Sequence, residues 1–100
     1  MMLTEINTAK ENMAQAAKKD CWVIVLPDLV LISGLKLKVN EEDETELWMI
    51  DPYVVTDAQR ATISPYLSDY TNKTSFVINK DLIITLVKPN DKLQAKYDSM

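Results

Sequence analysis

Apolar and polar positions alternate through Leu35, Lys36, Leu37, Lys38, Val39 and Asn40. That period of two predicts a half-buried β-strand. The strand reads back through Gly34, the only glycine of the chain, into the apolar stretch Leu29 to Ile32, so it spans 29–40. A glycine inside a strand weakens it and marks a bend, a bulge or a close backbone approach. A long strand bent at a glycine is how small barrels turn a corner. Before it, residues 21–26 are continuously apolar, β-branched and aromatic, which predicts a buried strand. Pro27-Asp28 supplies the turn between them.

After the bent strand, Glu41 to Thr45 predicts an acidic hairpin loop and residues 46–55 a third strand. Pro52 falls in its second half, where proline is tolerated only at an edge or a bulge. Residues 75–78 and 82–87 predict two more short strands, tightly joined by Asn79, Lys80 and Asp81. Residues 4–19 predict an N-terminal helix with Ile6, Ala9, Met13 and Ala16 or Ala17 on one face, capped at Thr8 through Glu11 or starting at Thr4. Residues 56–73 read either as a short helix capped by Thr56 and ended by Pro65, or as a long surface loop. Residues 89–100 read as a frayed polar tail. The expected class is mainly β: a small, bent, five-stranded barrel with an N-terminal α-helix, in one domain over residues 1–100.

Composition narrows the function classes. With 47% hydrophobic residues in 100 there is material for a core, yet a domain this small buries a limited share of its surface. A partner subunit would help. The net charge of −4 disfavours a generic nucleic-acid coat, which needs surplus Lys and Arg. The single Cys21 cannot form an intramolecular disulfide and reads as a buried, reduced thiol. Together with the lack of a signal-peptide pattern, this gives a cytoplasmic expectation. No apolar run reaches the roughly 20 residues that span a bilayer, so no membrane is expected.

The order of elements and three segments resemble the Sm-like (LSm) family, which includes bacterial Hfq. Leu26-Pro-Asp-Leu-Val-Leu-Ile-Ser-Gly34-Leu-Lys-Leu37 looks like the start of the first family motif, with Asn40 where the family usually has Asp. Glu46-Leu-Trp-Met-Ile-Asp51 looks like that motif's Asn-Leu-x-Leu-x-Asp. Phe76-Val-Ile-Asn-Lys-Asp-Leu-Ile-Ile-Thr-Leu86 looks like the second motif, Val-x-Ile-Arg-Gly-Asp-x-Ile-x-x-Ile. The first motif region is then 21–55 and the second 74–88, and the resemblance covers residues 4–87.

The resemblance implies RNA binding at or near the pore of a ring. The implied RNA-binding residues are Asn40, Glu46, Asn79, Lys80 and Asp81. The chain departs from the family at these positions. Glu46 (or Glu44, without a gap) stands where the family's Asn contacts a base, and Asn79-Lys80 stands where the family has Arg-Gly. A carboxylate accepts from a base amino group but repels phosphate; Lys80 restores one positive charge. In the family, the fourth strand pairs with the neighbour's fifth strand and roughly five to seven subunits close a ring, removing all open edges. The implied subunit interface is Phe76, Val77, Ile78, Ile83, Ile84 and Leu86. The alternative is an ordinary hairpin of these two strands within one chain.

Other features have simpler readings. The acidic run from Asn40 to Glu46 lacks the glycine and spacing of a calcium loop and reads as a hydrated hairpin, so no metal is expected. Lys10, Lys18 and Lys19 suit either a phosphate-contacting face or an ordinary solvated one; Lys36 and Lys38 face solvent. Trp22 and Trp48 read as core or interface residues, with base stacking as the other option. Tyr53, Tyr66 and Tyr70 either line a surface or pin the 56–73 segment. The chain has no histidine and only one glycine, so a Cys–His pair and a glycine-rich phosphate loop are both excluded. A non-enzymatic, cofactor-free, RNA-binding homo-oligomeric ring of bacterial or phage type is the first expectation. An acidic oligomeric protein-interaction scaffold without RNA binding is the second, and a monomeric domain unrelated to the Sm-like family is the third.

Overall fold

A computed structural model of the chain describes residues 18–100. They form six strands and one helix: β1 (Trp22–Val25), β2 (Val30–Val39), β3 (Thr45–Asp57), β4 (Thr62–Pro65), β5 (Ser75–Ile78), β6 (Thr85–Val87) and α1 (Asp91–Asp98). A single 3-10 turn, Lys80–Leu82, lies between β5 and β6. The class is mainly β. The strands make one antiparallel sheet in the order β4-β3-β2-β1-β6, with β5 paired on the first half of β3. The expected barrel does not close, because among the described residues β6 pairs only with β1, and β4 and β5 pair only with β3.

Of the helix expected over 4–19, residues 4–17 lie outside the described ones, and Lys18 and Lys19 are not helical. The alternative of an ordinary hairpin between residues 75–78 and 82–87 is not what forms: the two strands part at the 3-10 turn and join opposite sides of the sheet. The 56–73 segment is neither helix nor plain loop. β3 runs on to Asp57 and turns back as β4, which accounts for the sixth strand. The last residues are no frayed tail. Asn90 accepts a hydrogen bond from the Leu93 amide (2.9 Å) and starts a helix that buries Leu93 and Tyr97.

The bend sits where β2 crosses β3. Ile32 pairs with Tyr53 and Gly34 with Ile50, so Asp51 and Pro52 together oppose Ser33. This is a β-bulge on β3, with Asp51 in the left-handed region at φ 50°. An extra residue reverses which side chains face inward. Leu47 and Met49 therefore face one apolar cluster, and Tyr53 and Val55 face the other. Pro52 is tolerated because it occupies the bulge. One cluster, with Cys21, Val23, Ile32 and Ala61, is covered by Leu93 and Tyr97 of α1. The other gathers Ile24, Leu31, Leu47, Met49 and Ile78, with Phe76, Tyr66 and Ile83 packed against it. β1 is continuously apolar because it serves both: Val23 faces the first cluster, Ile24 the second.

Gly34 is needed for close approach. A Cβ there would lie 3.3 Å from the Ile50 carbonyl oxygen and 3.4 Å from the Ile50 Cβ. Its amide, at the break in the ladder, donates to the Tyr97 hydroxyl (3.2 Å). That hydroxyl's own proton is shared by the carbonyls of Ile50 (3.0 Å) and Asp51 (2.9 Å). The fully buried Ser33 hydroxyl lies 2.8 Å from the Gly34 carbonyl and 3.1 Å from that of Ile50. The backbone groups the bulge leaves over are thus met by the Tyr97 and Ser33 hydroxyls and, for the Asp51 amide, by the Thr74 carbonyl (2.7 Å).

Candidate functional site

The five residues expected to bind RNA come together at one end of the sheet. Asn40 opens the hairpin from β2 to β3. Its side-chain oxygen accepts from the amides of Glu42 (2.9 Å) and Glu44 (3.0 Å), an Asx-type turn in which its NH2 group has no partner among the described residues. Asn79 does the same for the 3-10 turn, accepting from the Asp81 amide at 2.9 Å. Ile78 pairs with Leu47, and the Lys80 ammonium reaches to 3.5 Å from the Thr45 carbonyl, which brings the turn beside the hairpin end. Glu46 is half-buried and accepts from the Trp48 indole at 3.4 Å. Lys80 thus brings a cation to the hairpin end, whose carboxylates Glu41, Glu42, Asp43 and Glu44 are exposed, as is Asp81 in its own turn.

The six residues expected at a subunit interface divide. Phe76, Ile78 and Ile83 pack into the second cluster of their own chain. Val77, Ile84 and Leu86 are exposed, at 49%, 64% and 39%. Thr85, Leu86 and Val87 are all exposed, so β6 has no buried face although it pairs with β1. Among the described residues its other edge is unpaired, and such an edge with apolar side chains on both faces is an open site for another strand.

Sequence reasoning places Trp22 and Trp48 in the core or an interface. Both are half-buried and belong to neither cluster. Each carries a lysine over its ring: Lys88 at 4.2 Å from the Trp22 centroid and Lys38 at 4.3 Å from that of Trp48. Trp48 pairs with Lys36 on β2 and with Val77 on β5, so these side chains share a face. Along β5 a groove of about 500 Å³ is lined by Trp48, Val77 and Lys73. Lys73 gave no signal in the sequence, because only the turn before β5 brings it there. Of the tyrosines, Tyr53 packs edge-on against Tyr97 and Tyr66 against Phe76, pinning β3 and the segment after β4, while Tyr70 faces solvent.

Two buried groups have displaced titrations. Burial pushes the Tyr97 hydroxyl up to about 12; the Gly34 amide works against this and the Asp51 carboxylate adds to it. Burial also pushes the Cys21 thiol up, helped by Asp98 and opposed by its contact with Gln94. Both are therefore held in their neutral, unreactive forms. Among the described residues no group of three or more His, Cys, Asp or Glu side chains is placed to hold a metal ion, and no helix is long and apolar enough to cross a membrane.

An open, bent, antiparallel sheet backed by a C-terminal helix defines the class of this chain. The chain belongs to a family of unknown function (DUF6561), whose sequence profile spans residues 19–100. No curated protein matches it.

Proposed function

We propose that this protein is a Sm-like, ring-forming, non-catalytic binding protein of the cytoplasm that takes RNA at the end of the sheet carrying Asn40, Glu46, Asn79, Lys80 and Asp81. The observation that carries the reading is β6, whose three residues are exposed on both faces at one open edge while β5 and its exposed Val77 lie on the other side of the sheet. Two different open edges on one chain favour head-to-tail pairing, and head-to-tail pairing that closes makes a ring. Such a ring repeats the Asn79-Lys80 turn around its axis and so multiplies a weak single contact. The NH2 groups of Asn40 and Asn79 would donate to base carbonyls or phosphates, and Lys80 would supply the charge.

A second reading is favoured by the exposed carboxylates Glu41, Glu42, Asp43 and Glu44 of the hairpin whose end Lys80 reaches. They would repel phosphate and attract a basic protein surface, making the ring an acidic interaction scaffold. Labelled single-stranded RNA titrated at low salt separates the two. Binding that weakens on Lys80→Ala supports the RNA site. Binding unchanged by that substitution removes the site, and no binding at all favours the scaffold.

A further inference from the structure

The outer face of β2, β3 and β5 holds a feature that the turn-end site does not use. Trp48 sits mid-face, half-buried, with its indole N–H held by Glu46. The exposed Lys38 ammonium lies over the ring at 4.3 Å, so that π-face is covered by a flexible, solvent-exposed side chain that an approaching group can displace. Lys36 stands directly across from Trp48 on β2, and Lys73 joins Trp48 in lining the groove along β5. An acidic chain thus gathers three of its lysines around one accessible aromatic ring.

We propose that this face is a base-stacking platform for single-stranded nucleic acid, separate from the Asn79-Lys80 turn. A base would displace Lys38 from the ring and stack on Trp48. The released Lys38, with Lys36 and Lys73, would contact the flanking phosphates. Every base offers a π-face, so the contact would be tolerant of sequence and sensitive to salt. A phosphate without a base would gain only the lysines, which makes the ring the discriminating element. The inference shares its ligand class with the function proposed above and touches it only through Glu46, which holds the Trp48 indole; its ligand-contacting residues are different and it does not depend on a ring.

The test uses the full-length chain and fluorescein-labelled single-stranded RNA twelve-mers of uridine and of adenosine, read by anisotropy at low salt. Trp48→Phe keeps a stacking ring and is expected to bind within about threefold of the parent, whereas Trp48→Ala loses about tenfold, the cost of one stacked base. Because Trp48→Ala removes a half-buried side chain, Lys36→Gln with Lys73→Gln gives a second variant confined to exposed positions. It is expected to flatten the slope of log affinity against log salt by about 1.4, from roughly 0.7 per phosphate contact on a single strand. In a Trp22→Phe background Trp48 is the sole indole, and RNA is expected to quench it. Quenching that persists in Lys80→Ala establishes the platform even if the turn-end site fails. Binding lost in Lys80→Ala but indifferent to all Trp48, Lys36 and Lys73 variants overturns the platform and leaves the turn-end site standing. Absence of both binding and quenching overturns both.

Discussion

The Tyr97 hydroxyl, on the C-terminal helix, accepts the Gly34 amide at 3.2 Å, across 63 residues of chain. This bond closes the gap that the β3 bulge opens in the sheet and fixes α1 over the first apolar cluster. Removing the hydroxyl in Tyr97→Phe leaves the buried Gly34 amide and the Asp51 carbonyl short of that partner, while the Ile50 carbonyl keeps the Ser33 hydroxyl. An unsatisfied buried group costs about 1–3 kcal/mol. Urea unfolding is expected to show that loss of stability with an unchanged slope; a shift within error of zero would mean that the bond does not support the fold.

Gly34→Ala tests the close approach at the same point. The added Cβ meets the Ile50 carbonyl, which is already held by Tyr97 and Ser33 and cannot readily move away. Overpacking of this kind costs about 1–3 kcal/mol. The expected order of melting temperatures is Gly34, then Ala, then Val. A more stable alanine variant would mean that the glycine marks no steric limit.

The same tyrosine sets an alkaline limit. Its value in the folded chain is about 12 against an ordinary 10.0. The folded state therefore holds the proton more tightly than the unfolded state. Stability from this source is complete below pH 10, falls as pH rises, and is lost above about 12. Absorbance at 295 nm is expected to show one of the four tyrosines ionising late, together with unfolding. Tyr97→Phe should remove that late step. All four titrating near 10 in the folded protein would contradict the account.

Cys21 is fully buried with its pKa raised, so Ellman's reagent is expected to react slowly with the native protein and stoichiometrically after denaturation. Rapid labelling of the native chain would place the thiol at the surface instead.

These elements were not equally legible in the sequence. β1, β2 and the acidic hairpin followed from apolar runs, alternation and turn residues, and Pro52 marked the bulge. The helix α1 was hidden because only Leu93, Gln94 and Tyr97 of its eight residues are buried, so its polar composition resembled a tail. Asn90 as a cap, with Leu93 and Tyr97 four apart, was the available signal. β4 was hidden because only Ile63 of its four residues packs inward and Pro65 reads as a helix end. Two apolar segments around Asn79-Lys80-Asp81 left both an ordinary hairpin and two strands unpaired with each other open, and alternation alone does not choose between them; within the chain the strands part. At the candidate site, residue types and proximity were legible. The engagement of Asn40 and Asn79 with their own turns was not, because an asparagine that caps a turn and one that contacts a ligand have the same sequence signature.

Head-to-tail pairing through β5 and β6 is the central claim, and native mass spectrometry at low micromolar concentration tests it most directly. A single closed species of roughly five to seven subunits is predicted. Ile84→Lys, which places a charge at the exposed position just before β6, is predicted to dissociate it without unfolding the chain. A wild-type protein that remains a monomer or a simple dimer would contradict the ring and leave β6 an exposed edge without a partner.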